Sequence, residues 1–261
     1  MLLAVDAGNT ETVIGLFELD GERRLLDTWR LSTQAERTSD EMALLVQEFL
    51  AFHGFSFDTD VAGVVVCSGV PRVTAAFREM TERYFGFAAV VLEAGVKTGM
   101  PILYDNPKEV GADRIANAVG ALERFDPPLI VVDFSGTATI LDAISSKGEY
   151  LGGVIVPGIE VGLDALIGRA ALLRSVELVE PRSVIGRSTV ESIQSGVVHG
   201  IGAMVDGVVE RIAREIGDAS VVSTGRLAEL MAPFTRSIEH VEPWLTLQGL
   251  RTIFEKNQPV A

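Results

Sequence analysis

Acids beside small-residue turns are the groups in this sequence whose types and spacing could do chemistry. Asp6-Ala-Gly-Asn-Thr10 sets a carboxylate at the end of an apolar run, next to a turn whose Gly8 frees the backbone to approach a ligand. Backbone N–H groups and the Thr10 hydroxyl there could hold phosphate oxygens, with Asp6 placed for a hydrated divalent cation. Taken alone, the same residues equally suit a hairpin turn that binds nothing. A second stretch, Asp133-Phe-Ser-Gly-Thr137, repeats the pattern. Two such loops facing one another across a cleft would clamp a polyphosphate without a P-loop lysine. Val221-Val-Ser-Thr-Gly225 runs a strand into a small-residue turn and would sit against an adenine ring in such a fold, although any strand-to-helix connection reads the same way.

The third constellation is Pro107-Lys-Glu-Val-Gly111-Ala-Asp113-Arg114, an acid and a base side by side near the start of a helix. Asp113 could accept a proton from a substrate hydroxyl while Arg114 binds an anionic group, as phosphoryl transfer requires. An ordinary helical charge pair has the same appearance. Other motifs are absent. Gly186-Arg-Ser-Thr189 lacks the P-loop lysine and has Pro181 where the upstream glycine belongs, and Gly200-Ile-Gly202 meets Val205 where a dinucleotide fingerprint needs its third glycine. His53, His199 and His240 lie far apart and Cys67 is the one cysteine, so neither a zinc site nor a Ser-His-Asp triad is supported. Cys67, in the apolar run VAGVVVCS, reads as an inert core thiol.

The elements that must position these residues come in two similar sets. Residues 2–22 lie without a gap over residues 129–149, with identities at Leu2/Leu129, Val5/Val132, Asp6/Asp133, Thr10/Thr137, Thr12/Thr139, Gly21/Gly148 and Glu22/Glu149. Each copy reads as a hairpin with an acid and a small-residue loop at its tip. After the first, RRLLDTWRLST reads as a third strand, Thr38-Ser-Asp-Glu41 as a capping box opening a helix, VAGVVVCS as a buried strand, Pro71 as a helix start and FAAVVLE as a strand. After the second, EYLGGVIVP is the third strand, with helices expected over about 159–173 and 189–216, a strand over 220–224 and a closing helix in TLQGLRTIFEKN. Three strands, a helix, then alternating strand and helix form an α/β unit of α+β layers, and it occurs twice.

The chain has 261 residues, 22 basic and 36 acidic, for a net charge of −14. That balance argues against coating nucleic acid or being drawn to an anionic membrane, while leaving room for a local pocket for one small anion. One cysteine forms no internal disulfide, and no apolar run approaches the ~18 residues of a membrane span. A cytoplasmic protein, with no nucleic-acid or membrane partner, is expected.

Six motifs in order now carry a resemblance. Asp6-x-Gly-Asn-Thr10, Asn106-Pro-x-Glu-Val-Gly-Ala-Asp-Arg114, Val132-Asp-Phe with Gly-Thr-Ala-Thr139, Leu151-Gly-Gly-x-Ile-x-Pro-Gly158, Arg187-Ser-Thr189-Val-Glu-Ser-x-Gln-Ser-Gly196 and Leu245-Thr-Leu-Gln-Gly-Leu-Arg251 together resemble the type III pantothenate kinase family. The resemblance implies the acetate and sugar kinase/heat-shock-70/actin fold: two duplicated ribonuclease-H-like domains, here 1–113 and 114–261, with the active site in the interdomain cleft. It implies ATP-dependent phosphorylation of the primary hydroxyl of pantothenate, giving 4'-phosphopantothenate in the first step of coenzyme A biosynthesis, by a homodimer that needs Mg²⁺ and a monovalent cation, K⁺ or NH₄⁺. By the same resemblance Asp6, Ala7, Gly8, Asn9, Thr10, Glu11, Thr12 and Val13 hold ATP, with Asp6 near the metal. Asp113 is the general base; Gly111, Ala112, Asp113 and Arg114 line the pantothenate site; Tyr104 and Thr189 contact pantothenate, Thr189 from the partner subunit; Asp133 holds the monovalent cation and Thr137 contacts ATP.

One departure stands out: the family usually reads Asp-Phe-Gly-Thr, and this chain has Asp133-Phe-Ser-Gly-Thr137, one residue longer. A lengthened turn shifts backbone donors by up to ~3.3 Å, enough to lose a phosphate or cation contact. Two other readings therefore stand beside the kinase: a kinase of the same fold acting on another small hydroxy acid or sugar, and a non-catalytic accessory factor acting through protein contacts.

Overall fold

The computed structural model describes residues 1–19, 21–169 and 176–258. In chain order the first elements are β1 (Leu2–Ala7), β2 (Glu11–Phe17), β3 (Leu25–Ser32), α1 (Ser39–Phe52), β4 (Gly63–Ser68), α2 (Pro71–Met80), β5 (Val90–Val91) and α3 (Ala112–Arg124). There follow β6 (Leu129–Asp133), β7 (Ala138–Ile144), β8 (Tyr150–Pro157), α4 (Ile159–Arg169), α5 (Thr189–Ile216), β9 (Ser220–Thr224), α6 (Ala228–Met231), β10 (His240–Val241) and α7 (Leu245–Lys256). Residues 170–173 of the helix expected over 159–173 lie outside the described residues.

By packing, the chain forms two compact units, one of Met1–Met100, Asp105–Glu123 and Thr246–Ala261, the other of Pro101–Tyr104 and Arg124–Leu245. The division expected at 113/114 cuts the chain once in sequence order, whereas these units follow which elements bury one another.

In the first unit a five-stranded mixed sheet runs β3-β2-β1-β4-β5, antiparallel between β1, β2 and β3 and parallel from β1 to β4 to β5. β1 and β4 are apolar on both faces because helices cover both. On one face Leu3, Val5, Ile14, Leu16, Val64 and Val66 meet Val46 and Leu50 of α1 and Phe77 and Met80 of α2. α1 starts where the capping box predicts: Thr38 Oγ1 accepts the Glu41 N–H at 3.3 Å and Glu41 Oε2 accepts the Thr38 N–H at 2.8 Å. Pro71 opens α2, where its missing N–H costs nothing. The opposite face is shaped for α7: a Cβ on Gly63 would lie 2.8 Å from the Phe254 ring atom Cε2, and one on Gly15 2.8 Å from Leu247 Cδ1. α7 in turn lies on α3, where a Cβ on Gly249 would stand 2.7 Å from the Ala116 carbonyl carbon and 3.0 Å from the Gly120 nitrogen. Thr246 Oγ1 donates to Asn117 Oδ1 at 2.7 Å across the same contact, and Arg251 pairs with Glu123 at its far end.

The second unit repeats the strand order, β8-β7-β6-β9-β10, with the same pattern of antiparallel and parallel pairs. Its hairpin also repeats the first one's register: Leu2 faces Phe17 and Asp6 faces Val13, while Leu129 faces Ile144 and Asp133 faces Ile140. One face buries Ile130, Val132, Leu141 and Val221 under Val205 and Val209 of α5. α5 occupies 189–216 as expected, capped by Ser188, whose Oγ accepts the Glu191 N–H at 3.2 Å. FAAVVLE pairs only at Val90–Val91; Phe87 is spent on stacking against Phe85, ring centroids 5.6 Å apart. The two-residue strand β10 and a π-helical turn at Thr81–Phe85 carry no sequence signal of their own.

Candidate active site

In the first unit Asp6 and Cys67 meet at the C-terminal ends of β1 and β4. Asp6, half-buried, stands opposite Val13 and beside Cys67 in the parallel β1–β4 register. The Cys67 thiol donates to Asp6 Oδ1 at 3.2 Å. Cys67 is fully buried, and burial first, then the charges of Asp6 and Asp113, push its thiol well above the usual range. Asp113 lies in the first turn of α3. Asp113 suits this place, since an acid in a first helical turn meets the positive end of the helix dipole.

The turn itself is closed by the Gly8 N–H, which donates to the Glu11 carbonyl at 2.9 Å, leaving Asn9 and Thr10 exposed. Ala7 is buried and Val13 half-buried. Thr12 is buried with its hydroxyl 2.8 Å from that of Thr33, and Glu11 receives Arg30 Nη1 at 3.3 Å. The side chains of Glu11 and Thr12 therefore brace β2 against β3, and the exposed part of this stretch is Gly8–Thr10. At the head of α3, the Gly111 carbonyl accepts the Ile115 N–H at 3.2 Å, Ala112 is half-buried, and Arg114 is 5% exposed.

In the second unit Asp133 ends β6, 7% exposed, and the extra residue of the loop bonds back to it. Ser135 donates its N–H to Asp133 Oδ1 at 2.8 Å, and its hydroxyl donates to the same oxygen. Gly225 closes over this pair: a Cβ there would lie 2.7 Å from both Asp133 Oδ1 and the Ser135 nitrogen. Ser135, Gly136 and Thr137 are exposed, and the Thr137 carbonyl accepts the Gly158 N–H at 2.8 Å. Gly158 and Thr189 both line an apolar groove of about 670 Å³ between the end of β8, α4 and α5. Tyr104 is half-buried with its ring tilted against Tyr150, centroids 6.4 Å apart.

Among the described residues no group of three or more His, Cys, Asp or Glu forms a metal cage. The residues present nonetheless fit the two expected ions. Mg²⁺ keeps several waters and takes one or two carboxylates plus substrate phosphates, so Asp6 beside an exposed turn suffices. For a monovalent cation, Asp133 shares a sheet face with Thr224, its register partner on β9, and Thr224 Oγ1 is buried with no hydrogen-bond partner. A carboxylate and an orphaned hydroxyl oxygen are hard donors of the right kind.

Three of these features escaped sequence reasoning: the Cys67 bond to Asp6, the Ser135 bonds to Asp133, and the orphaned Thr224. Each depends on pairing between strands or within a turn that no nearby residue pattern signals.

Two mixed sheets of one strand order, each with an acid ending its central strand beside a small-residue turn, define the acetate and sugar kinase/heat-shock-70/actin class of α/β protein. Solved structures bear out the fold: a conserved putative Baf family transcriptional activator from Campylobacter jejuni superposes with a TM-score of 0.60 at 18% identity, covering 98% of each chain. Within the class, the sequence model of type III pantothenate kinase matches residues 2–211. The type III pantothenate kinase of Streptomyces avermitilis is 52% identical over 98% of each chain, and that of Myxococcus xanthus 51% identical over 98% of this chain and 99% of its own. The chain belongs to the type III pantothenate kinase family. Among the described residues no helix is long and apolar enough to cross a membrane.

Proposed function

We propose that this chain is a pantothenate kinase that transfers the γ-phosphoryl group of ATP to the primary hydroxyl of pantothenate, the entry step of coenzyme A synthesis, and that Asp113 is its general base. The observation that carries the assignment of roles is that one unit holds both Asp6, near the end of β1 beside the exposed Gly8–Thr10 turn, and Asp113, in the first turn of α3. A phosphate-side acid and a second acid at the head of a helix are what in-line phosphoryl transfer asks of a protein. The pantothenate oxygen bonds to the γ-phosphorus as the bond from phosphorus to the bridging oxygen breaks, ADP leaves with that electron pair, and the hydroxyl proton passes to Asp113.

Residues 6–13 and Thr137 bind ATP, with the exposed Gly8–Thr10 turn directed to phosphate. Gly111, Ala112, Arg114, Tyr104 and Thr189 bind pantothenate, Arg114 supplying positive charge for its carboxylate. Asp6 is the residue for magnesium, and Asp133 with Thr224 for a monovalent cation; when bound, these ions neutralise phosphate charge. The protein works in the cytoplasm as a homodimer, a reading supported by the apolar groove and by the exposed Leu166 and Val190 on α4 and α5. The segments 1–113 and 114–261 are duplicated ribonuclease-H-like domains, a reading supported by the shared register of the hairpins at 2–22 and 129–149.

An ADP-release assay with ATP and pantothenate, with and without K⁺, tests the reading. Wild type turns over, and Asp113→Asn loses about 10²- to 10⁴-fold in rate. No turnover with any cation, or full turnover of Asp113→Asn, refutes it.

A further inference from the structure

Tyr104 does not hold itself in place. It belongs to the short segment Pro101–Tyr104 that packs with the second unit, and Tyr150 grips that segment along its length. The Tyr150 N–H donates to the Pro101 carbonyl at 2.9 Å, and the Tyr150 carbonyl accepts the Leu103 N–H at 2.8 Å, so Ile102 pairs with Tyr150 as a single parallel bridge. The Tyr150 side chain is wholly buried, and its hydroxyl donates to Asp142 Oδ1 at 2.8 Å. Asp142 is itself 3% exposed, so a hydrogen bond to this carboxylate is strong and holds the Tyr150 ring at one angle.

The other side of the Tyr104 ring is set by Gly152. The β7–β8 ladder shifts register between Ala143 and Ile144, a bulge that takes in Leu151, and just after it Gly152 adopts φ +124°. A Cβ on Gly152 would lie 3.2 Å from Cε2 and 3.3 Å from Cδ2 of Tyr104. The ring therefore rests directly on the Gly152 backbone, with the Tyr150 ring tilted 50° against it. Next along, Gly153 leaves room for Asp142, since a Cβ there would be 3.0 Å from the Asp142 Cα. A bulge that re-aims side chains, two glycines without side chains and a buried Tyr–carboxylate pair all bear on one half-buried ring.

We propose that Tyr150, Asp142 and Gly152 are positioning residues that fix the Tyr104 ring and thereby set affinity for pantothenate. This rests on Tyr104 touching pantothenate, as proposed above. None of the three touches the reacting atoms; each acts through the ring.

Steady-state kinetics of the full chain test it. Gly152→Ala pushes directly on the ring by a few tenths of an ångström, and Tyr150→Phe unlocks the ring that backs it. Each is expected to raise KM for pantothenate about tenfold while kcat and KM for ATP stay within about twofold of wild type. Asp142→Asn, which keeps an oxygen to accept from Tyr150, is expected to remain near the wild-type KM. Because Gly152→Ala also strains the backbone, the deciding measurement is the same change in a Tyr104→Ala background: with the ring gone, KM for pantothenate is expected not to rise further. A further rise there, or equal rises in both KM values in the single variants, overturns the proposal. A wild-type chain that turns over ATP only with another hydroxy acid refutes the assignment of substrate, whereas pantothenate turnover indifferent to Gly152 and Tyr150 refutes the positioning role alone.

Discussion

Gly249→Ala tests whether the packing of α7 on α3 governs the site. The new Cβ would lie 2.7 Å from the Ala116 carbonyl carbon and 3.0 Å from the Gly120 nitrogen, and both are backbone atoms that cannot rotate away. Ordinary heavy-atom contact is about 3.5–4.0 Å, so α7 must withdraw by roughly 1 Å. Overpacking of this kind costs up to about 3 kcal/mol, against which the better helix propensity of alanine returns about 1 kcal/mol. The net loss of about 2 kcal/mol corresponds to a fall in Tm of roughly 4–8 °C for a chain of this size. α3 carries Asp113 and Arg114 one turn before Ala116, and a displacement of ~1 Å at a reacting group costs about 10²-fold in kcat/KM. Thermal unfolding by circular dichroism and the ADP-release assay give both numbers. Gly168→Ala in α4, where a Cβ meets nothing within 4 Å, serves as the control and is expected to leave both unchanged or to raise Tm slightly. Wild-type Tm and activity in Gly249→Ala would show that α7 does not hold α3; a lowered Tm with full activity would show that α3 moves without carrying Asp113.

Three further outcomes follow from particular contacts. Cys67→Val removes the thiol donor to Asp6 and is expected to raise the magnesium concentration for half-maximal rate several-fold, with Cys67→Ser restoring it; equal behaviour of the two variants would sink the role of the S–H bond. Ser135→Ala takes one donor from Asp133 and is expected to lower the K⁺ concentration for half-maximal rate by about tenfold or more, since a hydrogen bond to a charged group is worth about 1.5–3 kcal/mol; an unchanged or higher requirement counts against competition between Ser135 and the cation. Asp206 on α5 is partly desolvated, which raises its pKa, but bonds from Arg236 and Ser237 outweigh this and hold the carboxyl below its ordinary range. Its contribution is therefore present above the unfolded pKa of about 3.9 and is lost as pH falls through the folded value. Asp206→Ala is expected to cost about 1.5–3 kcal/mol in urea unfolding at pH 7 and less as pH drops below about 4; a pH-independent difference refutes the electrostatic account.

What the sequence made legible was local. The hairpins at 2–22 and 129–149, the capping box at Thr38 and the long helix at 189–216 follow from hydrophobic period and cap residues within a few positions of one another. The acids at the loop tips were legible for the same reason. Contacts over long separations were not: that α3 and α7 join the first unit depends on Gly15, Gly63 and Gly249 making room for particular side chains and backbone, and a glycine in an apolar run reads as weakness rather than as a socket. Cys67 was legible as buried and inert but not as the donor to Asp6, because the pairing depends on the parallel β1–β4 register, which nothing near Cys67 encodes.

The two loops, matched without a gap, have come to treat their acids in opposite ways. Asp6 takes the Cys67 thiol of the neighbouring strand as a donor, while its turn is tied by the Gly8 N–H to the Glu11 carbonyl and by the Thr33 N–H to the Thr10 carbonyl. Asp133 takes donors from its own turn, through the residue by which this chain exceeds the family's usual loop. Against this chain's own first loop the second is not long at all: Ser135 lies over Gly8. The serine at that place does what a glycine cannot, because its hydroxyl joins its N–H in reaching the carboxylate. Asp133 thus has two donors supplied by Ser135 of its own turn. A buried carboxylate needs compensation, and two donors from Ser135 supply part of what an ion would otherwise have to. At the proposed cation site Ser135→Ala alters the donor without altering the loop's length, so it separates the effect of the hydroxyl on K⁺ from the effect of the loop's length on phosphate.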